Sequence, residues 1–231
     1  MIYKMVQDLA QQNIPIVLVA SKEHYSYYDY LFSKKMELNL LTKIQTESII
    51  FIDCFSNLYK GSDTGMLPVS ESVPPTFSLQ IPPKTKKITF TAEPGVANFT
   101  KLLNTIEELL EKDNKEQVHI LFEDISQLWI QAGINSKEKK EVVNTLKLLS
   151  VYHPRKVSVI VNVNQDFEDE SVLTNLLSLE DSHIEIHGNL SGYSKDMSGM
   201  LRMVSKPFVE SEFYRFKVSE GNAELFEHKI I

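Results

Sequence analysis

Val118-His119-Ile120-Leu121-Phe122-Glu123-Asp124 is a short, nearly continuous apolar run that ends in two carboxylates. Such a run is the pattern of a strand buried on both faces, as in a parallel sheet. Ile14-Pro15-Ile16-Val17-Leu18-Val19-Ala20, Ile49-Ile50-Phe51-Ile52-Asp53 and Val157-Ser158-Val159-Ile160-Val161 repeat it. Helical periods lie between the runs at Ile49, Val118 and Val157. Phe99, Leu102, Leu103, Ile106, Leu109 and Leu110 mark one apolar face, and Val142, Val143, Leu146 and Leu149 mark another. A shorter helix with Val172, Leu173, Leu176 and Leu177 leads to His183-Ile184-Glu185-Ile186-His187. Apolar strands alternating with amphipathic helices predict right-handed crossovers and a parallel sheet between helical layers.

Beyond His187 the pattern changes to closely spaced strands, Met200 to Ser205, Phe213 to Val218 and Glu224 to His228, without helices between them. They predict an antiparallel extension of the sheet. The fold class is therefore α/β, a three-layer single domain over residues 1–231, mainly parallel with antiparallel C-terminal strands. Residues 56–87 stand apart: five of the nine prolines, Pro68, Pro74, Pro75, Pro82 and Pro83, fall there, and the expectation is one long loop. Ile88-Thr89-Phe90-Thr91 alternates and predicts a short strand after it.

The 231 residues suffice for one sizeable core. Lys plus Arg number 24 against 31 Asp plus Glu, a net charge of −7, which disfavours a lone nucleic-acid binder working by general phosphate attraction. The single cysteine, Cys54, excludes an intramolecular disulfide framework and zinc modules needing several thiolates, and points to a reducing compartment. The apolar runs fall far short of the roughly 20 residues that span a bilayer. The N-terminus, with Asp8, Gln7, Gln11 and Gln12, does not read as a secretory signal.

Parallel sheets bind ligands at the carboxyl ends of their strands, so nucleotide machinery is the first chemistry to look for. The sequence has no G-x-x-x-x-G-K-[ST], no Gly-Lys dipeptide and no G-x-G-x-x-G. It thus lacks the glycine-rich backbone nest and the lysine that hold β- and γ-phosphates. Glu123-Asp124 and Asp53 sit where phosphate-loop enzymes hold magnesium, but an acidic turn after a strand is common, and half of such a site is missing. His183, Glu185 and His187 share one strand face, where zinc ligation is awkward because neighbours at i and i+2 lie nearly 7 Å apart. No metal, cofactor or catalytic residue is expected. Lys137, Lys139 and Lys140 open the helix before Val142. Lysines there oppose the helix dipole, which marks them as candidate contacts to an external anion.

The most specific stretch is Gly192-Tyr193-Ser194-Lys195-Asp196-Met197-Ser198-Gly199-Met200-Leu201-Arg202. Physically it predicts a hairpin, with Gly192 permitting a left-handed backbone and Asp196 and Gly199 at the ends of a type I turn. Its pattern of Gly, aromatic, basic, Asp, Gly and Leu also resembles the Elongator complex protein 6 family. The His24-Tyr25 pair, the acidic segment Asp166 to Glu170 and the helix at Leu173 to Leu179 resemble it too. The resemblance spans about Ile14 to His228, most strongly from Val118 onward. It implies a RecA-like fold without a phosphate loop and a non-catalytic subunit of a hetero-hexameric ring. The implied partners are two related ring subunits, the Elongator catalytic core, and tRNA bound through the ring during wobble-uridine modification. The implied setting is the cytoplasm, with the nucleus as a second compartment. Neighbours in such rings meet near the strand ends, which makes Asp53, Glu123 and Asp124 candidate subunit-interface residues. Only a helical stretch, Met1 to Gln12, precedes the strand at Ile14, so the first strand of that fold is expected to be missing, leaving an apolar sheet edge. The alternatives are a divergent RecA or KaiC-type ATPase and another P-loop-derived adaptor.

Overall fold

The computed structural model describes residues 2–55, 82, 84–88, 95–112, 116–154, 156–188, 198–206, 211–219 and 222–227. These form two compact units, Met1–Leu173 and Thr174–Ile231.

In the first unit, α1 (Ile2–Gln11) leads into β1 (Ile16–Ala20). A helical stretch follows, made of α2 (Tyr25–Tyr30), a π-helical turn (Leu31–Lys35) and α3 (Leu40–Gln45), before β2 (Ile49–Asp53). Then come β3 (Lys86–Lys87), α4 (Val96–Lys112), β4 (Gln117–Phe122), α5 (Ile125–Ala132), α6 (Ser136–Tyr152) and β5 (Lys156–Val161). A short 3₁₀ turn at Gln165–Phe167 precedes α7 (Glu170–Leu179), within which the boundary between the two units falls. Among the described residues the strands form one sheet in the order β3-β2-β1-β4-β5, every pair parallel.

All five β1 side chains are buried, as a strand of Ile, Val, Leu, Val and Ala covered on both faces must be. One sheet face, with Ile16, Leu18, Ala20, Ile49, Phe51 and Leu121, packs on Val6 and Ala10 of α1, Tyr25 and Tyr28 of α2, Phe32, and Leu40 and Ile44 of α3. Phe122 points to the opposite face, where its ring stacks on Phe99 of α4 at a centroid distance of 6.4 Å. The three-layer expectation is met.

Sharp capping sets the helix ends. Asp124 accepts from the Gln127 backbone N–H at 3.0 Å to start α5, and Gly133, at φ 67°, ends it in the left-handed region. Asn135 and Glu138 form a capping box at the start of α6. The helices at 25–45 and 125–132 escape the periodicity reading: the first is broken into pieces of five or six residues, and the second is only eight residues long and buried on several sides.

The second unit corrects one expectation. The C-terminal strands do not extend the parallel sheet: β6 (Ser182–Gly188), β7 (Gly199–Ser205), β8 (Ser211–Ser219) and β9 (Asn222–Glu227) form a separate antiparallel sheet in that order. The strand at His183–His187 belongs to it rather than to the parallel sheet. The physical reason is its alternation, polar at 183, 185 and 187 and apolar at 184 and 186, which suits a one-sided antiparallel strand and not a two-sided parallel one. The predicted loop is also shorter at its end, since Lys86–Lys87 pairs with Ile52–Asp53; Ile88 lies just beyond that strand, and residues 89–91 fall outside the described set. Among the described residues β5 is the terminal strand on the side away from β3, and residues 158–161 are half-buried.

Gly199 begins β7 opposite Gly188 and Phe216. A Cβ placed there would lie 2.2 Å from the His187 carbonyl oxygen and 2.8 Å from the Phe216 ring. Because the first obstacle is backbone, Gly199→Ala should destabilise the antiparallel sheet by about 1–3 kcal/mol, read as faster amide exchange in β6 to β8 while β1 and β4 keep their protection.

Candidate functional site: a filled crevice at the carboxyl end of the sheet

The chain order reverses at β1, whose neighbours are β2 on one side and β4 on the other. In open α/β sheets the crevice beside such a reversal, at the strands' carboxyl ends, is where ligands bind. Here Ser21 and Lys22 follow β1, Glu123 and Asp124 follow β4, and Asn162 follows β5.

Glu123 is 1% exposed. Its Oε2 accepts from the backbone N–H of Ser21 at 2.9 Å, the N–H of Lys22 at 3.1 Å and the Tyr28 hydroxyl at 2.5 Å. Its Oε1 accepts from the Tyr3 hydroxyl. One carboxylate thus collects four donors from α1, the turn after β1, and α2. Its backbone is held as well, with the N–H donating to Val19 O at 3.1 Å and the carbonyl accepting from Asn162 Nδ2 at 2.9 Å. Burial raises the Tyr28 and Tyr3 hydroxyl pKa values above the ordinary tyrosine value, and the Glu123 charge and hydrogen bond add to the rise. Both phenols therefore remain protonated donors.

Asp124 is buried beside it. Besides capping α5, it receives Lys22 Nζ at 2.7 Å, and its carbonyl accepts from Ser21 Oγ at 3.2 Å. Gln131 Nε2 donates to Ser21 O at 2.9 Å, closing the turn from the other side. Asp53 is buried, its Oδ1 accepting from the Phe55 N–H at 3.0 Å. Burial raises the pKa of the neighbouring Cys54 thiol, with the Asp53 charge adding to it, so this cysteine is an unreactive core residue.

The three acidic residues expected at a subunit interface are therefore turned into the chain, and their side chains organise this end of the sheet. Glu123 and Asp124 come together around the Ser21–Lys22 turn; Asp53 ends the neighbouring strand. Of the three lysines, Lys137 is exposed and Lys140 half-buried. Lys139 is turned inward: its Nζ lies 2.8 Å from the Glu168 carboxylate, which is fully buried, and 5.2 Å from the centroid of the buried Trp129 ring. It is an internal cation on a cation–π platform, not an outward phosphate contact. Gly192, Tyr193, Lys195 and Asp196 lie outside the described residues; Gly199 is a strand residue rather than a turn residue. His183, Glu185 and His187 do share a face, where Glu185 takes Arg202 and both histidines as neighbours and His183 Nδ1 meets Glu180 at 2.5 Å. Burial alone would raise the Glu185 pKa, but the hydrogen bond from His187 and the Arg202 guanidinium bring it below the usual carboxylate value.

Tyr3 and Tyr28 were not singled out from sequence. No local pattern marks them, since the phenol hydroxyls find their use only when Glu123 is brought to them from 95 and 120 residues away.

Glu123→Gln keeps the shape but replaces one acceptor oxygen by a donor among four donors, so it should cost about 3 kcal/mol or more, seen as a lower urea midpoint at an unchanged slope. The pH dependence has a definite sign. The folded-state tyrosine pKa values are raised, so the contribution of these phenols is whole below the unfolded value of about 10 and is lost as pH rises above it. Tyr3→Phe combined with Tyr28→Phe should lower stability at neutral pH and flatten its alkaline decline, both followed by denaturation midpoints across pH.

No protein-family profile and no curated protein matches the chain. Solved structures do resemble it. A protein of Pyrococcus horikoshii, described as uncharacterized and crystallised with an unknown peptide, aligns over 99% of this chain and 85% of its own at 8% identity with a TM-score of 0.64. A KaiC-like protein of the same archaeon aligns over 95% and 79% at 9% identity, TM-score 0.54. The flagellar accessory protein FlaH of Methanocaldococcus jannaschii aligns over 97% and 82% at 12% identity, TM-score 0.55. At such identities the likeness concerns the fold alone: the chain has a RecA-like α/β fold, with its parallel sheet and a separate antiparallel one.

Proposed function

We propose that this chain is a non-catalytic structural subunit of an Elongator-type RecA-like ring, which supports wobble-uridine modification by binding tRNA and docking on a catalytic core. The observation that carries the non-catalytic half is the filled crevice. Where a nucleotide enzyme would aim an acid at magnesium and water, Glu123 has spent its acceptor capacity on Tyr3, Tyr28 and the Ser21 and Lys22 amides. Freeing that carboxylate would leave those donors unsatisfied at a cost of about 1–3 kcal/mol each. The absence of a glycine-rich phosphate loop and its lysine from the sequence supports the same reading. The Elongator assignment is supported by the Gly192–Arg202 pattern and the companion segments, on a fold of the right class.

In this reading the partners are the two related ring subunits, with the catalytic core and tRNA reached through the ring. The working compartments are the cytoplasm and the nucleus. The tRNA-facing share of the α6 start falls to Lys137 and Lys140, since Lys139 is engaged with Glu168 and Trp129.

Two measurements test this. Titration of the chain with a fluorescent ATP analogue and magnesium should show no stoichiometric binding; saturation at one nucleotide per chain would replace the proposal with the divergent ATPase. Co-expression with the two ring subunits should give a stable ring, and its failure to form would remove the Elongator assignment. Within that ring, Lys137→Ala with Lys140→Ala should weaken tRNA binding and reduce the slope of log affinity against log salt by about 1–2. An unchanged slope would remove the two lysines from the tRNA surface.

A further inference from the structure

We draw no further inference here: the strongest candidate, the exposed apolar patch that Ile184, Ile186, Met203, Val218 and Leu225 form on one face of the antiparallel sheet, carries none, because nothing in the structure shows what covers it.

Discussion

A buried carboxylate is tolerated only when its surroundings answer every lone pair, and Glu123 is the point where that requirement organises the parallel unit. Its two oxygens take donors from α1, from the backbone just after β1, and from α2, while its carbonyl holds Asn162 after β5. Segments from Tyr3 to Asn162 are thereby brought to one end of the sheet. Apolar packing of Leu18, Phe51 and Leu121 against α1 to α3 supplies the larger energy but is indifferent to small slips. The carboxylate is not: if α1 slid by one turn, the Tyr3 hydroxyl would leave its acceptor. The hydrophobic layer brings the elements together, and the hydrogen bonds to Glu123 set their register.

The same pattern of a core that collects and a polar group that aligns recurs one layer away. Glu168, after β5, is buried and takes the Lys139 amine, which in turn rests over Trp129. Removing one charge would leave the other stranded, so the pair fixes the start of α6 against the segment leading to α7 more strictly than Val142 and Leu146 could alone. This explains why lysines stand at a helix N-terminus, where the dipole opposes them. One of the three is compensated by a buried acid rather than by an outside anion.

Much of the parallel unit was legible because burial on both faces writes itself into a strand as a continuous apolar run; all four of the long strands carry that mark, and α4 and α6 show a clear 3.6-residue period. The separate antiparallel sheet was only half legible. Its strands can be read, but their separation from the parallel sheet cannot, although the alternation at His183 to His187 marks a strand with one solvated side. The site was legible in its acids and not in its function. Glu123-Asp124 at a strand end looks the same whether the carboxylate waits for a metal or is enclosed by donors. What separates the cases is the location of Tyr3, Tyr28 and the Ser21 and Lys22 amides, up to 120 residues away in sequence, and no local pattern encodes it. Lys139 is the same lesson for a base, since its partner Glu168 follows 29 residues later.

RecA-like folds serve many chemistries, so sheet order by itself assigns none. An acid at the reversal point is equally ambiguous, because catalysis and structure both want a carboxylate there. The discriminating quantity is how many donors the protein itself has aimed at the acid. A catalytic carboxylate must keep acceptor capacity for water or metal, and its neighbours are arranged to leave a lone pair open. Glu123 has two backbone amides and two phenols that burial keeps protonated, so the chain itself aims four donors at its two oxygens. Exchanging this arrangement for a nucleotide site would mean unfolding the contact between α1 and α2 as well as supplying a phosphate loop. The crevice is therefore a keystone of the fold, held by donors that the chain itself supplies.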